Sequence, residues 1–120
     1  MANINRDYQI TINVRTDELI ADKLEFVNSD RNTANIYVKV IPDIVDLKLK
    51  MRIRANDEKF ILDGQIVGQM IYEFELPTDL IQLPGTHKME LQAIYENKIR
   101  TYDYIPIKVN KSITTGLGGE

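Results

Sequence analysis

Residues 47–54 read LKLKMRIR, a run in which apolar side chains alternate one for one with cations. A helix, with its period of about 3.6 residues, would scatter Leu47, Leu49, Met51 and Ile53 around its circumference. A strand gathers them on one face and turns Lys48, Lys50, Arg52 and Arg54 to the other. The segment therefore predicts a strand with one buried and one wet face. Such a strand needs paired neighbours and a second layer over its apolar side.

The same period of two recurs along the chain. Tyr8, Ile10, Ile12 and Val14 share a parity against Gln9, Thr11 and Asn13, and Leu24 and Phe26 flank Glu25. Ile36, Val38 and Val40 alternate with Tyr37 and Lys39; because Tyr37 and Ile41 are apolar too, partial cover is expected on both faces of that strand. Phe60 and Leu62, then Met70, Tyr72, Phe74 and Leu76, then Met89, Leu91, Ala93 and Tyr95 continue the pattern. Turn-forming residues separate these runs: Asn28–Thr33, Pro42-Asp43, Asn56-Asp57-Glu58, Gly68, Pro84-Gly85 and Glu96-Asn97. Asp63-Gly64 predicts a hairpin. Arg15–Lys23, polar apart from Leu19, Ile20 and Ala21, reads as a connection, and Thr78 or Asp79 after Pro77 is placed to cap a single helical turn.

In the last strand the parity slips. Tyr102 and Tyr104 fall on one face and Ile99, Ile105, Ile107 and Val109 on the other, which would send Asp103 inward unless a β-bulge near Tyr104 shifts the phase. Pro106 has no N–H for the ladder and predicts an edge position or a donor site turned away from it. About seven or eight strands, and no helix of ordinary length, predict an all-β antiparallel sandwich. At 120 residues the chain is one domain with enough interior for a core, set at 1–112, followed by a Gly-rich flexible tail or linker start at 113–120.

No reactive constellation accompanies this pattern. The chain has no cysteine, so thiolate zinc sites, disulfides and thiol nucleophiles are excluded. His87 is its one histidine and has no partner at metal-ligand spacing; Ser29 and Ser112 lack a nucleophile elbow. Asp30, Asn32 and Thr33 gather oxygens without the spaced acidic pattern or distal glutamate of a calcium loop, and read as turn formers. No enzymatic activity, metal or cofactor is expected. The net charge of −3 points to neither nucleic acid nor an anionic membrane. The cations at 48, 50, 52 and 54, about 7 Å apart, have no stacking aromatics between them, and Glu73 and Glu75 are expected opposite them. The N-terminus lacks the basic and apolar regions of a signal peptide, and no apolar run approaches the roughly 18 residues of a membrane span. The chain is thus expected to be soluble and made in the cytoplasm. Tyr102 and Tyr104 are packing residues first; if exposed, they form with Ile71 and Ile94 the expected protein–protein patch.

The series LEFVNSDRNTANIYVKV, DLKLKMRI, YEFELPTDLIQLPGTHKMELQAIY and a closing strand ending IPIKVN resembles the N-terminal domain of phage baseplate upper proteins. The matching features are Asp30, Asn32, Thr33 and Ala34; Asp46 and Leu47; Leu80, Leu83 and Gly85; and Val109. The resemblance spans roughly residues 5–113. It implies an immunoglobulin-like β-sandwich in the virion of a siphovirus, a scaffold that attaches host-recognition machinery to the tail baseplate. The implied partners are the baseplate core and receptor-binding proteins, in an oligomeric assembly without nucleic acid or membrane. No catalytic residue comes with the family. The linker, trimerising helices and receptor-binding attachment of the family lie beyond the match. The alternative is a carbohydrate-binding β-sandwich, which needs an exposed aromatic platform that a chain without tryptophan supplies poorly.

Overall fold

The alternation in sequence becomes alternation in burial. In the computed structural model, which describes residues 6–27, 34–55, 58–76 and 84–111, Leu47, Leu49, Met51 and Ile53 are all buried, and the cations between them face away from the core. The described residues form ten strands and no helix: β1 (Arg6–Asn13), β2 (Glu18–Ala21), β3 (Leu24–Val27), β4 (Ala34–Ile41), β5 (Lys48–Ala55), β6 (Glu58–Asp63), β7 (Gln65–Gly68), β8 (Ile71–Leu76), β9 (Gly85–Tyr95) and β10 (Lys98–Asn110).

Two five-stranded sheets stack face to face, one ordered β2-β1-β4-β8-β7 and the other β3-β10-β9-β5-β6. Their inner faces interleave in one core. Ile10, Ile12, Ile36, Val38, Phe74 and Leu76 come from the first sheet, and Leu24, Met51, Ile53, Met89, Leu91 and Ile107 from the second. Each such side chain stabilises the sandwich by about 1.5–3 kcal/mol relative to full exposure. Tyr72 is buried among them and its hydroxyl donates to the Leu47 carbonyl, so the interior gains a phenol without an orphaned polar atom.

The all-β sandwich is the expected one, and so is the bulge. The β9–β10 register shifts between Tyr102 and Ile105, and this brings both Tyr102 and the Ile105–Ile107–Val109 series into the core. Pro106 sits one residue before β3 begins to pair with β10 at Ile107. Three other features differ from expectation. The described strands number ten, against seven or eight expected: residues 15–23 contain β2, a four-residue edge strand too short to show alternation, and Gln65–Gly68 forms β7. The sheets are mixed, since β1 pairs parallel with β4 and β3 parallel with β10; a period of two does not encode strand direction. Asp63-Gly64 does not turn a hairpin, for β6 pairs with β5 in one sheet and β7 with β8 in the other. Likewise β3 and β4, which flank residues 28–33, belong to different sheets. The positions Asp30, Asn32, Thr33, Thr78, Asp79, Leu80 and Leu83, and the tail 113–120, lie outside the described residues.

Candidate interaction surface

The chain steps directly from one sheet to the other on both flanks, and polar chemistry concentrates on the flank of β2 and β3. At the end of β1, Asn13 Oδ1 accepts the N–H groups of Arg15 (3.0 Å) and Thr16 (3.2 Å), shaping the turn that follows. Asp17, at φ 62°, closes that turn by donating its N–H to the Asn13 carbonyl at 2.8 Å. Its carboxylate then reaches the other sheet, where it accepts the Arg100 guanidinium and, at 3.5 Å, the Tyr102 hydroxyl. Hydrogen bonding to Asp17 raises the Arg100 pKa, while burial, followed by the charge of Asp17, raises that of Tyr102. Asp17, Leu19, Arg100, Thr101 and Tyr102 line an open cleft of about 370 Å³ between the sheets.

Past β2, Asp22 ends the first sheet. Its N–H donates to the Gln9 carbonyl at 2.9 Å and its Oδ2 accepts the Gln9 N–H at 2.8 Å, so one residue occupies both main-chain groups that the short β2 leaves over. On β3 the Glu25 carbonyl accepts the Tyr8 hydroxyl at 2.6 Å, and the Glu25 carboxylate accepts Asn110 Nδ2 at 3.2 Å with Lys23 at 3.7 Å. The Asn110 bond, then the charges of Lys23 and Lys108, hold the Glu25 pKa below its ordinary value.

The opposite flank is built otherwise. The chain crosses from β6 to β7 through Gly64 alone. The Gly64 N–H donates to the Leu49 carbonyl at 2.9 Å, and a Cβ there would lie 2.8 Å from Phe74 Cζ and 3.1 Å from that same carbonyl oxygen. Both β6 and β7 are the last strands of their sheets. They carry three large apolar side chains open to solvent: Ile61 is 63% exposed, Ile66 68% and Val67 54%.

On the outer face of the second sheet, Lys50 pairs with Asp63 at 3.7 Å and Arg52 with Glu90 at 3.8 Å. Glu73 and Glu75 do not serve these cations. They lie on β8 of the first sheet, opposite Tyr37 and Asn35, and the Glu73 hydrogen bond raises the pKa of Tyr37. Lys48 stands opposite Ile94, which in turn faces Ile99.

Of the expected interface residues, Ile71 is half-buried on the first sheet and Ile94 half-buried on the second, facing opposite sides of the sandwich. Tyr102 is a core residue at 7% exposure, and the side chain of Tyr104 lies outside those described. Ile71, Ile94 and Tyr102 do not converge on one patch. His87 is half-buried on β9 opposite Ile107, and no group of metal-ligating side chains assembles among the described residues. No described helix is long and apolar enough to cross a membrane. The exposed trio Ile61, Ile66 and Val67 was legible in one respect: FIL and IV place apolar residues on both parities, one more than a half-buried strand needs.

No family model and no curated protein matches the chain. Among solved structures, the sandwich is similar to the N-terminal domain of phage TP901-1 ORF48, with 10% sequence identity and a TM-score of 0.55 over 88% of this chain and 97% of that one, a likeness of fold.

Proposed function

We propose that the chain is a structural domain of a phage tail baseplate, an adaptor that links receptor-binding proteins to the baseplate core and carries out no chemistry itself. The observation that carries this is the shared sandwich with a phage protein's N-terminal domain across 97% of that domain. The strand and turn series resembling baseplate upper proteins supports the same assignment from sequence. Within it, the work of the domain is geometric. Strand edges and loops present surface to other virion proteins, with repeated copies adding avidity.

The test is co-expression with a phage baseplate core protein, followed by gel filtration, and peptide mass spectrometry of purified virions. A co-eluting complex and peptides from this chain in the particle are the expected results. Saturable binding of host cell-wall polysaccharide by the isolated chain, with no co-elution, would replace the adaptor by the carbohydrate-binding alternative.

A further inference from the structure

A β-sandwich exposes main-chain donors and acceptors only at its sheet edges, and β6 is the edge with the most to offer. Strands β2, β3 and β7 each have four residues, β7 with a register shift between Ile66 and Gly68, whereas β6 has six in an unbroken ladder. Short, bulged edges resist pairing; an even one invites it.

The direction of its free groups follows from one bond. Gly64 donates to the Leu49 carbonyl, so the position next to Lys50–Asp63 in the β5–β6 ladder is a hydrogen-bonded one. Hydrogen-bonded and non-hydrogen-bonded pairs alternate along an antiparallel ladder. Met51–Leu62 and Ile53–Phe60 are therefore bonded pairs, while Lys50–Asp63, Arg52–Ile61 and Arg54–Lys59 are not. Lys59, Ile61 and Asp63 accordingly turn both N–H and C=O away from β5, toward the open edge. Their side chains share the outer face, and all three are exposed.

We propose that this edge pairs with β6 of a second copy of the same chain, antiparallel and two-fold symmetric about Ile61, joining two five-stranded sheets into one. The order of side chains selects that occupant. Lys59 and Asp63 each lie two residues from Ile61 on the same face. A two-fold axis there sets Lys59 against Asp63 of the second copy, Asp63 against its Lys59, and Ile61 against its Ile61. A self-complementary pattern of this kind is what a closed isologous contact requires. The three residues with free main-chain groups become the bonded pairs of the new ladder. On the inner face, Phe60 comes beside Leu62 of the second copy. Both are only partly buried against the core, and the pairing covers what remains open. A lysine alone would guard this edge against pairing; with Asp63 across the axis it becomes half of an ion pair.

This assignment does not depend on a phage role, and its test needs only the purified chain. Sedimentation equilibrium should show a mass that rises with concentration from 13.9 kDa toward twice that value. Ile61→Lys, which places two like charges at the axis, should hold the chain monomeric. Lys59→Asp alone sets like charges against each other at both symmetric positions and should weaken the dimer about tenfold. Lys59→Asp with Asp63→Lys should bring it back to within about threefold of the native chain. Ile61→Lys and Lys59→Asp should keep the thermal midpoint of the dilute monomer close to native, since these side chains lie outside the core; Asp63→Lys also breaks the ion pair with Lys50, so the midpoint of the double exchange should fall slightly while its association recovers. A native chain that stays monomeric up to about 1 mM overturns the proposal. So does a dimer indifferent to Ile61→Lys, or a double exchange that fails to restore association.

Discussion

Between β2 and β3 the chain passes from the first sheet to the second through Asp22 and Lys23; at Gly64 it passes back between β6 and β7. The two crossings perform the same task with opposite chemistry. At the first, Asp22 occupies the N–H and C=O of Gln9, and Asp17 ties β10 to the turn before β2, so side chains close the flank. At the second, Phe74, Tyr72 and the Leu49 carbonyl leave no space for a side chain on Gly64, so the residue that turns the chain has none with which to cap the edge. A crossing turned by a residue without a side chain has no means of sealing itself. The contrast separates two ways to turn the chain between sheets: Ile61, Ile66 and Val67 lie open beside the crossing whose turning residue has no side chain, whereas on the other flank Ile20 of β2, 63% exposed, stands beside carboxylates that bond to the backbone and to the other sheet.

The largest effect in this comparison is expected at the crossing itself. In Gly64→Ala the new methyl meets Phe74 Cζ at 2.8 Å, a ring held in the core at 1% exposure, and a carbonyl oxygen at 3.1 Å. The ring cannot retreat without repacking the core, nor the carbonyl without loosening its bond to Gly64, so the substitution should cost about 1–3 kcal/mol by chemical denaturation. An unchanged midpoint would mean that the crossing has slack, and the account of why it stays unsealed would fail.

How far this was legible in sequence differs between the two flanks for a physical reason. Burial parity writes itself into composition, which is why Leu47, Leu49, Met51 and Ile53, the Tyr8–Ile12 series and the slip at Tyr102–Ile105 all emerge where the alternation places them. Which sheet a strand joins depends on long-range pairing, and Asp63-Gly64 has the composition of a hairpin turn although its strands part company. The carboxylates of Asp17 and Asp22 look like any other loop acids until Arg100 and Gln9 are brought to them across the fold. Ile71 and Ile94 were joined in the expected patch on apolar type alone, and type does not distinguish the outer faces of two sheets from each other.

Next in size is Asp22→Ala on the sealed flank. It strips the acceptor from the Gln9 N–H, an exposed edge group that water can then reach, so the loss should be about 0.5–1 kcal/mol. Asp22→Asn keeps an acceptor oxygen in place and should recover most of it. If the alanine variant costs as much as Gly64→Ala, the side-chain seal carries more of the fold than the backbone fit does, and the contrast reverses.

The sealed flank also carries groups that make stability depend on pH. The Glu25 pKa is lowered, chiefly by Asn110, so its contribution is present above the ordinary value of 4.5 and is lost as pH falls through the folded value. That of Tyr102 is raised by burial, so its contribution is present below 10.0 and is lost as pH rises through the folded value. Glu25→Gln should flatten the acid limb of thermal midpoint against pH, and Tyr102→Phe part of the alkaline limb; Tyr72, Tyr37 and Tyr95, whose pKa values are raised as well, contribute to the remaining alkaline slope. Equal slopes in the native and substituted chains would remove these groups from the seal.

The smallest effect is expected where the contact looks most emphatic. Arg100 and Asp17 form an ion pair that bridges the two sheets, yet their side chains are 57% and 47% exposed. Water already solvates both charges, and ordering a long side chain offsets much of the attraction. Arg100→Ala should therefore lower the thermal midpoint only slightly in dilute buffer and not at all at about 0.5 M salt, where the Debye length is down to about 4 Å. Asp17→Ala should do more, because the Tyr102 hydroxyl loses an acceptor in the same step and sits at the rim of the core. The ranking of the two variants locates the seal: if Arg100→Ala proves the more costly and loses its effect with salt, the flank is held by charge at its surface. If Asp17→Ala is the more costly and salt leaves it unchanged, the flank is held by the hydrogen bond at the edge of the core, the outcome that burial favours.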